Sequence, residues 1–380
     1  MRRRGFFTKK LKSILLFSAI FCGSVMFTYA NEAEKHAEDT SVVADTVNHA
    51  NDTAHAAEHA EEEEFNASEL ILHHIADAHE WHLWGHTSVG LPVILYTDKG
   101  IEMFSSSNFH HGKDAYKGKY YTYKIEHNHI KVVNEAGEID EEASKNITDF
   151  SITKNVASMF MSMILLVLIF GSVASAYKKR EGKAPKGFQG VIEPIILFVR
   201  DEIAKPNLGY KYARFMPFLL TIFFFIWINN MIGLVPFFPG GANLTGNIAF
   251  TLVMGLITFF VTNFNGNKAY WKHILLPHVP WWLYPIMIPV EIIGVLSKPF
   301  ALIVRLFANI TAGHIIVLSL ISLIFIFKSL AIAPVSVAFV VFMDVLELLV
   351  AFLQAFIFTM LTALFIGTAV AEEHADAEHH

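Results

Sequence analysis

Two stretches of apolar sequence carry residues that belong in water. One holds Glu291, Lys298, Arg305 and Asn309, with His314 shortly after; the other holds Asp344, Glu347 and Gln354. Arg305 is the most informative of them. A guanidinium keeps its proton at any biological pH, so this charge cannot be hidden by titration. At the centre of a membrane helix it costs about 2.5–3.5 kcal/mol on insertion scales. A fixed cation of this kind marks an ion pathway, and His314 and Glu347 add groups that titrate. That combination is what proton movement requires.

The spacing is orderly. Steps of seven, seven and four keep Glu291, Lys298, Arg305 and Asn309 on one helical face, drifting by about 20° per heptad. His314 follows Arg305 by nine residues, about two and a half turns, which predicts the opposite side of the helix. Asp344, Glu347 and Gln354 form a second stripe. Two facing stripes predict a hydrated path. Plainer readings stand beside this one. Glu291 and Lys298, one heptad apart, also fit a structural ion pair. Asn309 and Gln354 also fit amide hydrogen bonds between helices. Asp344 also fits an ordinary solvated charge at the membrane surface.

The elements that must hold these residues are spanning helices. The chain of 380 residues is 53% hydrophobic with only 17% charged residues, below the roughly 25% of soluble domains. Its net charge of −6 is unevenly spread. Between Phe215 and Phe327 the charged side chains are Lys268, Lys272, Glu291, Lys298 and Arg305, whereas the first 150 residues are rich in Glu, Asp and His. The pattern predicts an all-α membrane protein of about five spanning helices, the last two long and tilted. The spans read as 156–177, 215–235, 247–264, 285–327 and 334–371. An interfacial helix is predicted over 190–203, and a short cytoplasmic loop carries Lys268 and Lys272. The basic cluster from Lys178 to Lys186 also belongs on the cytoplasmic side, which puts the N-terminus outside and the C-terminus inside.

Residues 1–30, with Arg2 to Arg4, a short apolar run and Ala30 at the end, read as a secretory signal; an uncleaved anchor is the other possibility. Residues 31–150 form a predicted exported region. Its start is an acidic, His-rich arm without the apolar content to fold. An amphipathic helix is predicted from Leu70 to Trp84, then a small β-rich module with strands near Val93–Tyr96, Tyr120–Tyr123 and Ile130–Val133. The membrane domain covers 151–373 and residues 374–380 are a cytoplasmic tail. His79, His82 and His86 share a helical face, but no matching ligand set accompanies them, and neither metal nor cofactor is predicted. Cys22 is the one cysteine, so no disulfide framework exists. No basic stripe or glycine-rich phosphate loop points to nucleic acid or nucleotide.

At the polar stripes the chain resembles the a subunit of F-type ATP synthases. The residues that carry this are Leu296-Ser297-Lys298-Pro299 and, five residues on, Arg305-Leu306-Phe307-Ala308-Asn309. Ala312-Gly313-His314, Leu353-Gln354-Ala355-Phe356-Ile357-Phe358 and Asn229-Asn230-Met231-Ile232-Gly233-Leu234-Val235-Pro236 add to them. The resemblance runs over residues 150–373 and implies a proton-translocating subunit of a bacterial inner membrane. Arg305 would face the carboxylates of a rotating c-ring and separate two aqueous half-channels. Gln354 would neighbour it, with Asn309 one turn beyond, and Glu291 would be an acidic channel position; Asp344, from its place in the second stripe, is a further candidate for proton translocation. His314 and Glu347 stand where some members carry the reverse pair, Glu then His. The implied partners are c subunits, b subunits of the peripheral stalk, the remainder of the synthase, and lipid. The chain itself would be the translocating component of an ATPase with no nucleotide site. The alternative is a self-contained transporter or channel, whose internal repeats are not seen. A zinc enzyme is disfavoured because no His-Glu-x-x-His run occurs.

Overall fold

A computed structural model describes residues 77–84, 87–110, 112, 114–126, 128–134, 137–235, 240–277, 279–327 and 333–371. The predicted signal, the acidic arm, the start of the amphipathic helix and the C-terminal tail lie outside them.

The first region is built of short strands: β1 (Glu80–Trp84), β2 (Thr87–Gly90), β3 (Pro92–Thr97), β4 (Gly100–Ser105), β5 (Tyr116–Lys117), β6 (Thr122–Glu126), β7 (His129–Val133) and β8 (Thr148–Asp149), with helix α1 (Glu141–Lys145) before β8. They pair antiparallel in three small sheets, β1-β2, β4-β3-β8 and β5-β6-β7. The β-rich module is therefore present, with strands at the three places the alternation predicted. The end of the predicted amphipathic helix is corrected: Trp81 to Trp84 is strand, paired in a hairpin with β2. Two Trp three residues apart fit one face of a helix, yet Trp81 turns inward here and is 5% exposed.

Val93, Leu95, Phe109, Tyr123, Ile130 and Val132 form the core of this module. Glu102 is buried there and accepts from the Tyr123 hydroxyl at 2.9 Å and from the Lys119 and Tyr120 amides. His79 and Asp149 meet at 3.2 Å beneath β3. Burial works against a charged His79, but the hydrogen bond and negative charge of Asp149 outweigh it and hold its pKa above the ordinary value. Burial likewise opposes ionised Asp149, and His79 outweighs it, so that carboxyl sits below its ordinary range.

The helices follow: α2 (Lys154–Lys179), α3 (Phe188–Phe198), a π-helical segment (Val199–Ala204), α4 (Lys205–Leu208), α5 (Tyr212–Leu234), α6 (Ile248–Phe264), α7 (Lys268–Leu275), α8 (Tyr284–Ile326) and α9 (Ala333–Val370). Thr153 caps α2 by accepting from the Val156 amide, and Asn247 caps α6 by accepting from Ala249. Among the described residues, four helical runs are long and apolar enough to cross a membrane, or five if α6 and α7, bent by 104° at their junction, count as one. This is the pattern of a multi-pass membrane protein. The connection with Lys268 and Lys272 is thus a short helix rather than a loop. The segment predicted to lie in the interface also has an inner side: Ile192, Val199 and Ile203 are buried in the same core as α5 and α9.

The two long segments are continuous. α8 has 43 residues and α9 has 38, about 64 and 57 Å at 1.5 Å per residue, against a hydrocarbon core of about 30 Å. Their core contacts are Phe-rich: Phe352 meets Phe223 and Trp227 edge-on with centroids 5.7 Å apart. Polar ties lie among them, including Asn230 Nδ2 donating to the Ala351 carbonyl at 3.0 Å. The C-terminal end of α9 is held by other elements. Lys211 Nζ and Asn267 Nδ2 both donate to the Val370 carbonyl at 2.8 Å, and the Asn267 amide donates to Ala369 at 2.8 Å.

Candidate functional site

Arg305 stands on the exposed side of α8. Ile293, Leu296, Phe300 and Val304 of the same helix are exposed beside it, as are Val345, Leu348 and Leu349 of α9. Among the described residues, the side chain makes no hydrogen bond or ion pair. Gln354, by contrast, is 4% exposed in the packing surface of α9, and no hydrogen bond joins it to Arg305 among the described residues.

The second feature is a cavity between α5, α8, α9 and the loop before α6. Asn309, His314 and Glu347 line it with Asn230, Asn243 and Thr245. Three of its polar atoms, Glu347 Oε1, Asn230 Oδ1 and Asn243 Nδ2, are buried without a hydrogen-bond partner among the described residues. Such groups normally find a protein or water partner, because leaving one unpaired costs about 1–3 kcal/mol. The polar groups in its lining suit a water and proton relay between an imidazole and a carboxylate. Gly313 makes room for it: a Cβ there would lie 2.6 Å from Glu347 Oε1.

A separate cavity lies further toward the start of α8, lined by Lys298 with Thr258, Thr262, Asn263 and Tyr270. Arg305 lines neither cavity. It falls between them along α8, about 10 Å of helix beyond Lys298 and about 13 Å before His314 by helical rise.

The structure thus gathers Asn309, His314 and Glu347 and separates them from Arg305. Asn309, spaced to share the face of Arg305, lines one cavity with His314, and Arg305 does not line it. Glu291 and Lys298 do not pair. Glu291 lies 4.0 Å from His273 of α7, and the Lys298 ammonium sits 5.8 Å above the Phe365 ring. Asp344 is exposed.

Comparison with known sequences bears directly on the helical region. Residues 156–367 match the family model of the ATP synthase A chain. The chain belongs to the ATP synthase A chain family. Among its relatives, ATP synthase subunit a of Chloroherpeton thalassium is 51% identical over 237 residues, 61% of this chain and 70% of that protein. ATP synthase subunit a 2 of Chlorobaculum tepidum is 48% identical over 60% of this chain and 65% of that protein. Subunit a of Myxococcus xanthus is 44% identical over 61% of this chain and 77% of that protein. Residues 70–150 match a different family, a domain of unknown function (DUF8433), so the β module is a unit distinct from the A chain match.

Within the A chain region, sequence reasoning did not nominate Asn230, Asn243 or Thr245 as site residues. The doubled amide Asn229-Asn230 in an apolar helix was a usable signal. Asn243 and Thr245 sit in a Gly-rich connection where amides and hydroxyls are ordinary, so only the folded loop reveals them.

Proposed function

We propose that the chain is the proton-translocating subunit of the membrane sector of an F-type ATP synthase. The observation that carries this is Arg305, a permanent cation on an apolar exposed face with no partner among the described residues. Such a charge calls for a counter-ion from outside the chain, and the carboxylate of a neighbouring c-ring subunit supplies one. Arg305 would attract each passing carboxylate in ionised form and block direct proton leak. The cavity with Glu347, His314 and Asn309 would be one half-channel, and the one with Lys298 the other, where Glu291 flanks the entrance. Gln354 would brace the helix pair, and Asp344 would gather protons at the surface. Each charge crossing the field is worth about 2.3 kcal/mol per 100 mV, and several per turn would drive ATP formation in the distant soluble sector.

In this reading α8 and α9 cross the membrane obliquely, since each is about twice its apolar thickness. The N-terminal region is exported after removal of residues 1–30, the C-terminus is cytoplasmic, and b subunits hold the chain beside the ring. The test is Arg305→Ala in the assembled synthase in inside-out vesicles. ATP-driven acidification should fall below detection while ATP hydrolysis by the soluble sector persists. Normal pumping by that variant sinks the assignment.

A further inference from the structure

We propose that the β module clamps the wall of the Glu347 cavity through Trp81, making Trp81 a positioning residue for proton access. The inference rests on the proton-channel reading of that cavity. Trp81 is buried in β1, and its indole N–H donates to the Gly240 carbonyl at 3.0 Å. Gly240 lies in the connection between α5 and α6, in which Ala242, Leu244 and Thr245 are almost wholly inaccessible and Asn243 nearly so. A Cβ on Gly240 would stand 2.7 Å from the Ile232 carbonyl oxygen and 2.5 Å from Val235 Cβ, so this backbone is seated hard against the end of α5. The same loop supplies Asn243 and Thr245 to the cavity. On its other side the Gly246 carbonyl accepts from Thr311 Oγ1 of α8 at 3.2 Å.

The module is itself anchored. The Lys154 amide at the start of α2 donates to the Ala78 carbonyl at 2.8 Å, and the Asn155 amide donates to Asp77 Oδ1 at 3.0 Å. Among the described residues, the Trp81–Gly240 hydrogen bond connects a unit fixed on α2 to a loop that forms the cavity wall. The titratable groups lining that cavity are His314 from α8 and Glu347 from α9, with Asp344 one turn before Glu347; α5 and the loop add amides and a hydroxyl. A shift of the loop changes how water reaches both groups without touching either.

The test uses the complete synthase in membranes. In a Cys22→Ser, Asn243→Cys background, the rate of labelling by a water-soluble maleimide reports exposure of the loop. Trp81→Phe keeps an aromatic ring there but removes the N–H donor with the pyrrole part of the indole; it should speed labelling about tenfold, because a buried carbonyl left unpaired favours the opened loop. Gly240→Ala, which displaces the same loop from within, should do likewise. With native Asn243, Trp81→Phe should also shift the pH profile of ATP-driven pumping. Unchanged labelling in both variants overturns the proposal. Faster labelling with an unshifted pH profile overturns it too, because the loop then moves without governing access. Arg305→Ala is the separate arm: if it pumps normally the proton reading fails, while the labelling rates still decide whether Trp81 holds the loop.

Discussion

The β module and the membrane helices treat polar side chains in opposite ways. In the module, buried Glu102 has the Tyr123 hydroxyl and two amides, and His79 has Asp149, though His79 Nδ1 and Asp77 Oδ2 are left without a hydrogen bond among the described residues. In the helices, Arg305 is unpartnered among the described residues, and Glu347 Oε1 is buried without a hydrogen bond. Pairing a buried charge fixes a conformation; withholding the partner keeps the group available for another molecule or a moving proton. The two regions are therefore sensitive to mutation in different currencies, stability in one and transport in the other.

That contrast breaks most sharply at Glu347. Glu347→Gln removes a titrating group while keeping the cavity filled, so ATP-driven pumping should drop at least tenfold, as loss of a positioned proton carrier does, with the thermal stability of the complex unchanged or raised. A large stability loss with pumping per complex intact would reverse the assignment of the two regions. Tyr123→Phe should do the opposite. It deprives Glu102 of one donor and should lower the local stability of the module by about 1–1.5 kcal/mol, seen as faster hydrogen exchange in β4 and β6, with pumping maintained. The smallest effect is the pH dependence of the His79–Asp149 pair. Because the His79 pKa is raised on folding, its contribution is complete below the ordinary imidazole value and is lost as pH rises through the elevated one. Protection factors in β3 and β8 should fall across that range by less than about tenfold, and His79→Asn should flatten the curve.

Much of the helical region was legible in the sequence because apolar runs bounded by Lys clusters or glycines leave few alternatives in a membrane. Arg305 could be found from its type and surroundings alone. The cavity could not. Its walls come from α5, a Gly-rich loop, α8 and α9, and only tertiary packing brings Asn243 next to Glu347. The Glu291–Lys298 spacing satisfied helical geometry but could not foresee His273, which α7 carries back toward Glu291 after the 104° bend. Trp81 to Trp84 misled for a different reason. Four residues contain too little periodicity to separate a strand from a helical face, and the hairpin partner that decides it lies further along the chain.

The three donors at the C-terminal end of α9 give this helix a mechanical character. Lys211 and Asn267 come from separate elements and grip the last two carbonyls, so the helix can neither spin about its axis nor slide lengthwise without breaking them together. It behaves as a beam clamped at one end. Sideways drag on its exposed apolar flank would be carried along the rod to that grip, and the elevation of Glu347 and Gln354 in the membrane would stay constant under load.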